Sequence, residues 1–281
     1  IHAFGHRRTI PTGIEHGTVT VMCDPPPSDG EGDGAAARPR NPRPVEITTF
    51  RGEGVYADGR RPSEVRFLRE LVDDAHARGM LTVVDFHQDI YAQIYCGDGF
   101  PAWTVPGPHP APHHDCPSWG TKYLDDKAVH AAFDAFWAEG SPVQEAYGKL
   151  WERLAKRYAD RPGVIGFEVF NEPGWGSADL DSWEATTLTT FYGVIAARLR
   201  KLAPSTLIFF DAPGVDAVFA QTNLQRPAGE GLVFAPHYYQ AGALTGAGGN
   251  PDLVLAKLKV WANYGKKWSV PVFLGEFGEH R

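Results

Sequence analysis

From Arg61 onward the sequence alternates amphipathic helical stripes with short, almost unbroken apolar runs, and this order limits the fold more than any other feature of the chain. The runs are 81–89 (LTVVDFHQD), 164–172 (VIGFEVFNE), 206–211 (TLIFFD), 231–239 (GLVFAPHYY) and 270–276 (VPVFLGE). A strand that is apolar on both sides must be covered on both sides, so runs of this kind separated by helices predict a parallel sheet. Helices are predicted over 63–78, 142–158, 182–202 and 251–264. In the first, Ser63 serves as N-cap, Val65, Leu68, Leu71, Val72 and Ala75 form one stripe, and Gly79 ends it. Trp151 falls on the apolar stripe of the second and is expected in the core.

Four of the five runs finish in chemically active side chains: His87 and Asp89, then Asn171 and Glu172, then His237, Tyr238 and Tyr239, then Glu276. Ligands of parallel α/β folds bind at the carboxyl ends of the strands, so the pattern points to one site built from several strands. The predicted fold class is therefore α/β, a (β/α)8 TIM barrel. Glu172 and Glu276 each follow an apolar strand directly. A lone strand-end Glu is usually a surface or ion-pair residue, but two in the same setting suit glycoside cleavage with retention, which needs carboxyls about 5–5.5 Å apart.

The strings FNEP (170–173), HYY (237–239) and GEFG (275–278), preceded by DFHQD (85–89), resemble the glycoside hydrolase family 5 barrel. DFHQDIYAQIYCGDGFPAW (85–103) resembles more narrowly its endoglycosylceramidase-like and steryl-glucosidase-like branch. The resemblance covers about residues 52–281. It implies a retaining β-glycosidase in which Glu172 is the acid/base and Glu276 the nucleophile. It also implies that Asn171 meets the sugar 2-hydroxyl, that Tyr239 orients the nucleophile beside His237 with Tyr238 packed away, and that His87 and Asp89 bind sugar hydroxyls. The bond would be β-glucosidic or β-galactosidic, with a glycolipid among the substrates. A cellulase-like endo-β-glucanase and a non-catalytic carbohydrate-binding barrel are the alternatives.

Trp103, Trp119 and Trp175 lie in loops after strand ends, where aromatic faces stack on sugars. Trp103 and Trp175 are taken as substrate-binding candidates. No cofactor is expected, and no metal is assigned: His87 and Asp89 lack the His-x-His start of barrel amidohydrolases, and His109, His113, His114 and Asp115 read as a Pro-rich surface loop. Cys96 and Cys116 bracket that loop. A bridge between them would stabilise it by about 3 kcal/mol, two free thiols being the other possibility.

With 27 Lys and Arg against 34 acids the net charge is −7, and no basic run offsets it, which excludes nucleic acid as a partner. No apolar stretch approaches the roughly 18 residues of a membrane span, so stable membrane insertion is not expected. Nothing indicates an oligomeric state. The family resemblance favours secretion, although the chain starts at Ile1 and shows no signal peptide.

Residues 1–51 differ from the rest. A Pro/Gly-rich loop over 25–44 separates two β-rich runs, 17–23 (GTVTVMC) and 45–50 (VEITTF), so this segment is set apart from a barrel domain at 52–281. The five readable runs match barrel strands three to seven. A strand-two basic residue, the strand-eight Trp platform and the accessory β-sandwich of the endoglycosylceramidases have no counterpart. The expectation is a barrel incomplete or rearranged at both termini, a fragment being favoured over replacement strands or an open barrel.

Overall fold

In the computed structural model, which describes residues 15–23, 43–51, 69, 72–73, 75–107, 119–244 and 249–278, the apolar runs supply the strands of one mainly parallel sheet. An antiparallel hairpin, β1 (Glu15–Cys23) with β2 (Arg43–Arg51), begins it. Then β3 (Met80–Asp85), β4 (Val164–Glu168), β5 (Leu207–Phe210) and β6 (Leu232–Phe234) pair in parallel, giving the order β2-β1-β3-β4-β5-β6. β1 runs antiparallel on the edge of β3, with Val19 opposite Val84, where a (β/α)8 barrel carries a parallel neighbour. A second pair, β7 (Tyr238–Tyr239) with β8 (Phe277–Gly278), continues the parallel direction.

The strands are shorter than the runs that predict them. Run 81–89 leaves the sheet after Asp85, so His87 and Asp89 stand on a turn and not on an extended strand face. Run 270–276 forms no regular strand; it is tied to 234–238 by the bridge between Val272 and Phe234 and by single backbone bonds such as Gly275 N–H to the Pro236 carbonyl. Pro271 and Pro236 have no N–H to give a ladder, which confines regular pairing to the residues around them.

The helices are set by local signals. In α1 (Lys127–Trp137), which the sequence reading did not single out, the Asp126 carboxylate accepts from the N–H groups of Ala128 and Val129. α2 (Pro142–Tyr158) starts with Pro142 in its first turn and Ser141 capping Gln144, and it buries Tyr147, Trp151, Ala155 and Tyr158 along one stripe. The predicted helix 182–202 is instead a helical turn (Leu180–Trp183), a π-turn (Glu184–Leu188) and α3 (Thr189–Arg200). The π-turn brings Glu184 fully inside, where its carboxylate accepts from the Asn223 N–H at 2.9 Å and from the Thr222 hydroxyl. After the short α4 (Gly214–Phe219), α5 (Pro251–Trp268) runs one turn past its predicted end because Trp268 is a core residue, and Ser269 stops it in the left-handed conformation. Of the predicted helix 63–78, the described residues Arg69, Val72, Asp73 and Ala75 to Ala77 are helical; Ser63 lies outside the described residues.

Two apolar layers position the site. The outer one packs helices on the sheet and contains an aromatic seam: Tyr91 stacks on Phe100 at 4.4 Å, and Phe100 meets Phe136, Tyr147 and Phe170 within 5.8 Å. This seam anchors the loop after β3, whose Ile90 and Tyr91 adopt φ of 52° and 70°. Left-handed backbone costs roughly 1–2 kcal/mol per residue. Full burial of Ile90, Tyr91 and Phe100, at about 2 kcal/mol each, outweighs it. The inner layer is Val83, Phe209, Val233 and Ala235, with Phe273 against them. Strand periodicity then carries the same inner face upward from Val83 to Asp85, from Phe209 to Asp211 and from Ala235 to His237, so the interior turns from apolar to polar at the carboxyl end.

Candidate active site

Glu172 sits just past β4 with φ of 39°, a strained backbone for a residue with a side chain. Two buried groups hold it there. Its N–H donates to Asp211 Oδ2 at 3.1 Å, and its carbonyl accepts from Gln88 Nε2 at 2.9 Å. Gln88, fully buried, also donates to the Asn171 carbonyl at 2.9 Å and to the Tyr123 hydroxyl at 3.0 Å, while its Oε1 accepts from the Tyr91 N–H. The DFHQD turn is thereby clamped to the NEP segment. Gly214 must lack a side chain here, since a Cβ would lie 2.5 Å from Glu172 Oε2.

Glu276 reaches the same point through the β7–β8 pair: the Tyr238 N–H donates to the Glu276 carbonyl, and the Tyr239 hydroxyl donates to Glu276 Oε2 at 2.7 Å. Tyr238 packs in the core. His237 lies between the two carboxylates, its Nδ1 2.8 Å from Glu172 Oε1 and 3.6 Å from Glu276 Oε2. One carboxylate oxygen of each Glu and one nitrogen of His237 lie within 4.8 Å of one another. Gly275 makes room for the imidazole, since a Cβ would lie 2.9 Å from His237 Nε2.

On the β3 side, His87 Nδ1 is 3.1 Å from Asp85 Oδ2 and 3.9 Å from Glu276 Oε1, and its Nε2 is 3.4 Å from Asp89 Oδ2. Asn171 Nδ2 donates to the Gln88 carbonyl at 3.0 Å and lies 3.5 Å from His87 Nε2. The carboxylates of Glu172 and Glu276 keep 14% and 22% side-chain exposure, so the pair faces an open mouth. Trp103 is 66% exposed, and Trp175 stacks on Tyr123, a partner of Gln88, at 6.4 Å. Cys96 is disulfide-bonded. Cys116, His109, His113, His114 and Asp115 lie outside the described residues, as does the side chain of Trp119.

The interior is acid-rich, and burial decides which acids are charged. Burial pushes Asp85 up to about 6, with His87 pulling the other way, and pushes Asp211 up to about 8. Burial also raises Glu168, which lies in register beside Asp85, well above the carboxylate range. Burial alone would lower both imidazoles. For His237 the charges of Asp211, Glu276 and Glu172 outweigh it, and for His87 the hydrogen bonds and charges of Asp85 and Asp89 do, so both rise well above the ordinary value. Burial and then the Glu276 charge raise Tyr239, which keeps its phenol a hydrogen-bond donor.

Asp85, Gln88, Tyr123 and Asp211 were not singled out from the sequence, yet all four shape the site. Their signals were present: Asp85 and Gln88 lie inside the DFHQD string, and Asp211 ends an apolar run as Glu172 and Glu276 do.

Parallel strands with an apolar inner layer, capped by paired glutamates at their carboxyl ends, place the chain in the class of (β/α)8 barrels with a two-carboxyl site. A family model described as Cellulase (glycosyl hydrolase family 5) matches residues 57–281, and the chain belongs to that family. It is 28% identical over 209 residues to an endoglycoceramidase of Cyanea nozakii, covering 63% of this chain and 41% of that protein. Endo-glycoceramidase II from Rhodococcus sp. superposes with a TM-score of 0.61 at 26% identity, over 79% of this chain and 53% of that one. The chain thus spans about half the length, or less, of these relatives. A different likeness covers a quarter of the chain: 44% identity over 71 residues to the CCA-adding enzyme of Streptococcus sanguinis, 14% of that protein.

Proposed function

We propose that this chain acts as a retaining β-glycosidase on a β-glucoside or β-galactoside carried by a glycolipid. The observation that carries the reading is the approach of the Glu172 and Glu276 carboxylate oxygens to within 4.8 Å, which suits attack by one carboxylate and proton donation by the other and falls short of the roughly 6.5–9.5 Å that inverting enzymes need. Glu276 is the nucleophile, held by the Tyr239 hydroxyl. Its oxygen bonds to the anomeric carbon as the glycosidic C–O bond breaks, and Glu172 gives its proton to the departing oxygen. Glu172 then takes a proton from water, whose oxygen attacks the anomeric carbon and frees Glu276.

Asn171, beside Glu172, is assigned to the sugar 2-hydroxyl, and His87 and Asp89 to the hydroxyls of the same ring. Trp103 and Trp175 are assigned to the sugar or aglycone. Support for a lipid aglycone comes from the endoglycoceramidase relatives, and the Rhodococcus enzyme takes a cellobiose-like isofagomine. An endo-β-glucanase, the second reading, rests on the family description alone and is not favoured by the endoglycoceramidase relatives. Incubation with activated 2-deoxy-2-fluoro β-glucoside and β-galactoside, followed by peptide mass analysis, tests the proposal. A one-sugar adduct on Glu276 is expected, with turnover lost in Glu172→Gln and Glu276→Gln. No adduct from either sugar, or near-normal turnover in either variant, would sink it. Release of sugar from a glycosylceramide but not from cellulose separates the two substrates.

The catalytic unit is proposed to be residues 52–281, with 1–51 a separate segment. Two observations support this division: the family match begins at 57, and the β1–β2 hairpin runs against the parallel direction. Limited proteolysis is expected to cut within 25–44 and leave 52–281 intact.

A further inference from the structure

Asp211 is fully buried at the end of β5, on the inner face directly above Phe209. Its Oδ1 accepts from the Ala212 N–H at 2.7 Å. Its Oδ2 accepts from the Glu172 N–H at 3.1 Å and faces His237 Nε2 at 3.5 Å. The other nitrogen of that ring contacts Glu172 Oε1 at 2.8 Å. One oxygen therefore reaches Glu172 by two routes, through its backbone and through the imidazole against its carboxylate. The strand end that carries Asp211 is itself fixed, since the Tyr192 hydroxyl on α3 donates to the Asp211 carbonyl at 2.9 Å.

We infer that Asp211 is a positioning residue for proton donation by Glu172: its Oδ2 holds the strained backbone of Glu172 and sets the orientation of the His237 ring from its far side. The inference rests on the reading of Glu172 as the acid/base. The two N–H groups go to different oxygens of Asp211, so an asparagine, with one carbonyl oxygen, could accept only one of them and would turn its NH2 toward the other or toward His237 Nε2. The carboxyl at this place sets both the Glu172 backbone and the orientation of the imidazole toward Glu172.

Asp211→Asn disturbs the placement of Glu172, and the leaving group of the substrate shows whether proton donation is what suffers. With a phenyl β-glycoside, whose leaving group needs a proton, kcat/KM is expected to fall by about 100-fold, the range over which general acid catalysis operates. With a 2,4-dinitrophenyl glycoside, which leaves unaided, the loss in kcat/KM, which reports bond cleavage and not the later hydrolysis of the glycosyl-enzyme, is expected to stay below about threefold. Equal loss on both substrates, or no loss on either, overturns the inference. A second measurement needs no variant and no turnover: 15N spectroscopy of His237 in the wild-type protein is expected to show a proton on Nε2, and a bare Nε2 overturns the inference. Failure of the wild-type protein to form the 2-fluoro adduct on Glu276 instead overturns the glycosidase reading, leaving the imidazole measurement to decide on Asp211.

Discussion

Replacing Gln88 by Leu, close in size but without the amide, tests whether the clamp between the DFHQD turn and the NEP segment holds the site in shape. The side chain is fully buried; the two hydrogens of its Nε2 are shared among the carbonyls of Asn171 and Glu172 and the Tyr123 hydroxyl, and its Oε1 accepts from the Tyr91 N–H. Tyr123 keeps the Ile90 N–H as a partner at 2.9 Å. The other three groups lose the Gln88 bond in a place water does not reach. Each such loss costs about 1 kcal/mol at the low end of the range, so about 3 kcal/mol in all. For a chain of this size that corresponds to a fall in Tm of roughly 6–12 °C. Activity is expected to fall further than folded population alone explains, because Glu172 at φ 39° loses one of its two restraints and can relax toward an ordinary conformation. Thermal unfolding by circular dichroism, with kcat measured well below the new Tm, reads both effects. A loss of stability under about 1 kcal/mol with unchanged kcat would refute the reasoning, since the clamp would then be doing nothing that packing alone does not.

Two further predictions follow from the charges. Tyr239→Phe deletes the 2.7 Å hydrogen bond to Glu276; a bond to a charged group is worth about 1.5–3 kcal/mol, so kcat should fall about 10–100-fold with the fold intact, and a change below about threefold counts against the nucleophile assignment. Burial, and then the adjacent Glu184 carboxyl, pushes Asp216 up to about 10 from an ordinary 3.8. The folded chain therefore keeps a proton that the unfolded chain releases, and stability is lost as pH rises across that window. Asp216→Asn should raise Tm more at pH 8 than at pH 5, and an equal shift at both would remove Asp216 as the cause.

Local patterns carried much of the architecture. The apolar runs with polar ends marked β3 to β6 and the side of the sheet where chemistry gathers, because strand burial and carboxyl-end placement are written in consecutive residues. Helix ends were legible where a cap or a proline stands, as at Pro142. They were not legible where a distant residue decides, as at Trp268, which extends α5 to reach the core, or at Glu184, whose π-turn answers to Thr222 and Asn223. The β-rich character of 17–23 and 45–50 was visible; their antiparallel place on the edge of β3 was not, since a pairing partner is a property of the whole sheet.

The site divides along the same line. The amino-acid sequence by itself determined which residues could do chemistry, Glu172, Glu276, Asn171, His87, Asp89, His237 and Tyr239, because each ends or follows a run whose local pattern already says strand. The pairing of Tyr239 with Glu276 was implied by the resemblance; only the tertiary structure decided that His237 touches Glu172 and that Asp211 and Gln88 restrain Glu172 from opposite ends of its peptide. Those pairings join residues 37 to 84 positions apart. They depend on strand register and on loops bent into left-handed backbone by packing, and neither is encoded by spacing along the chain.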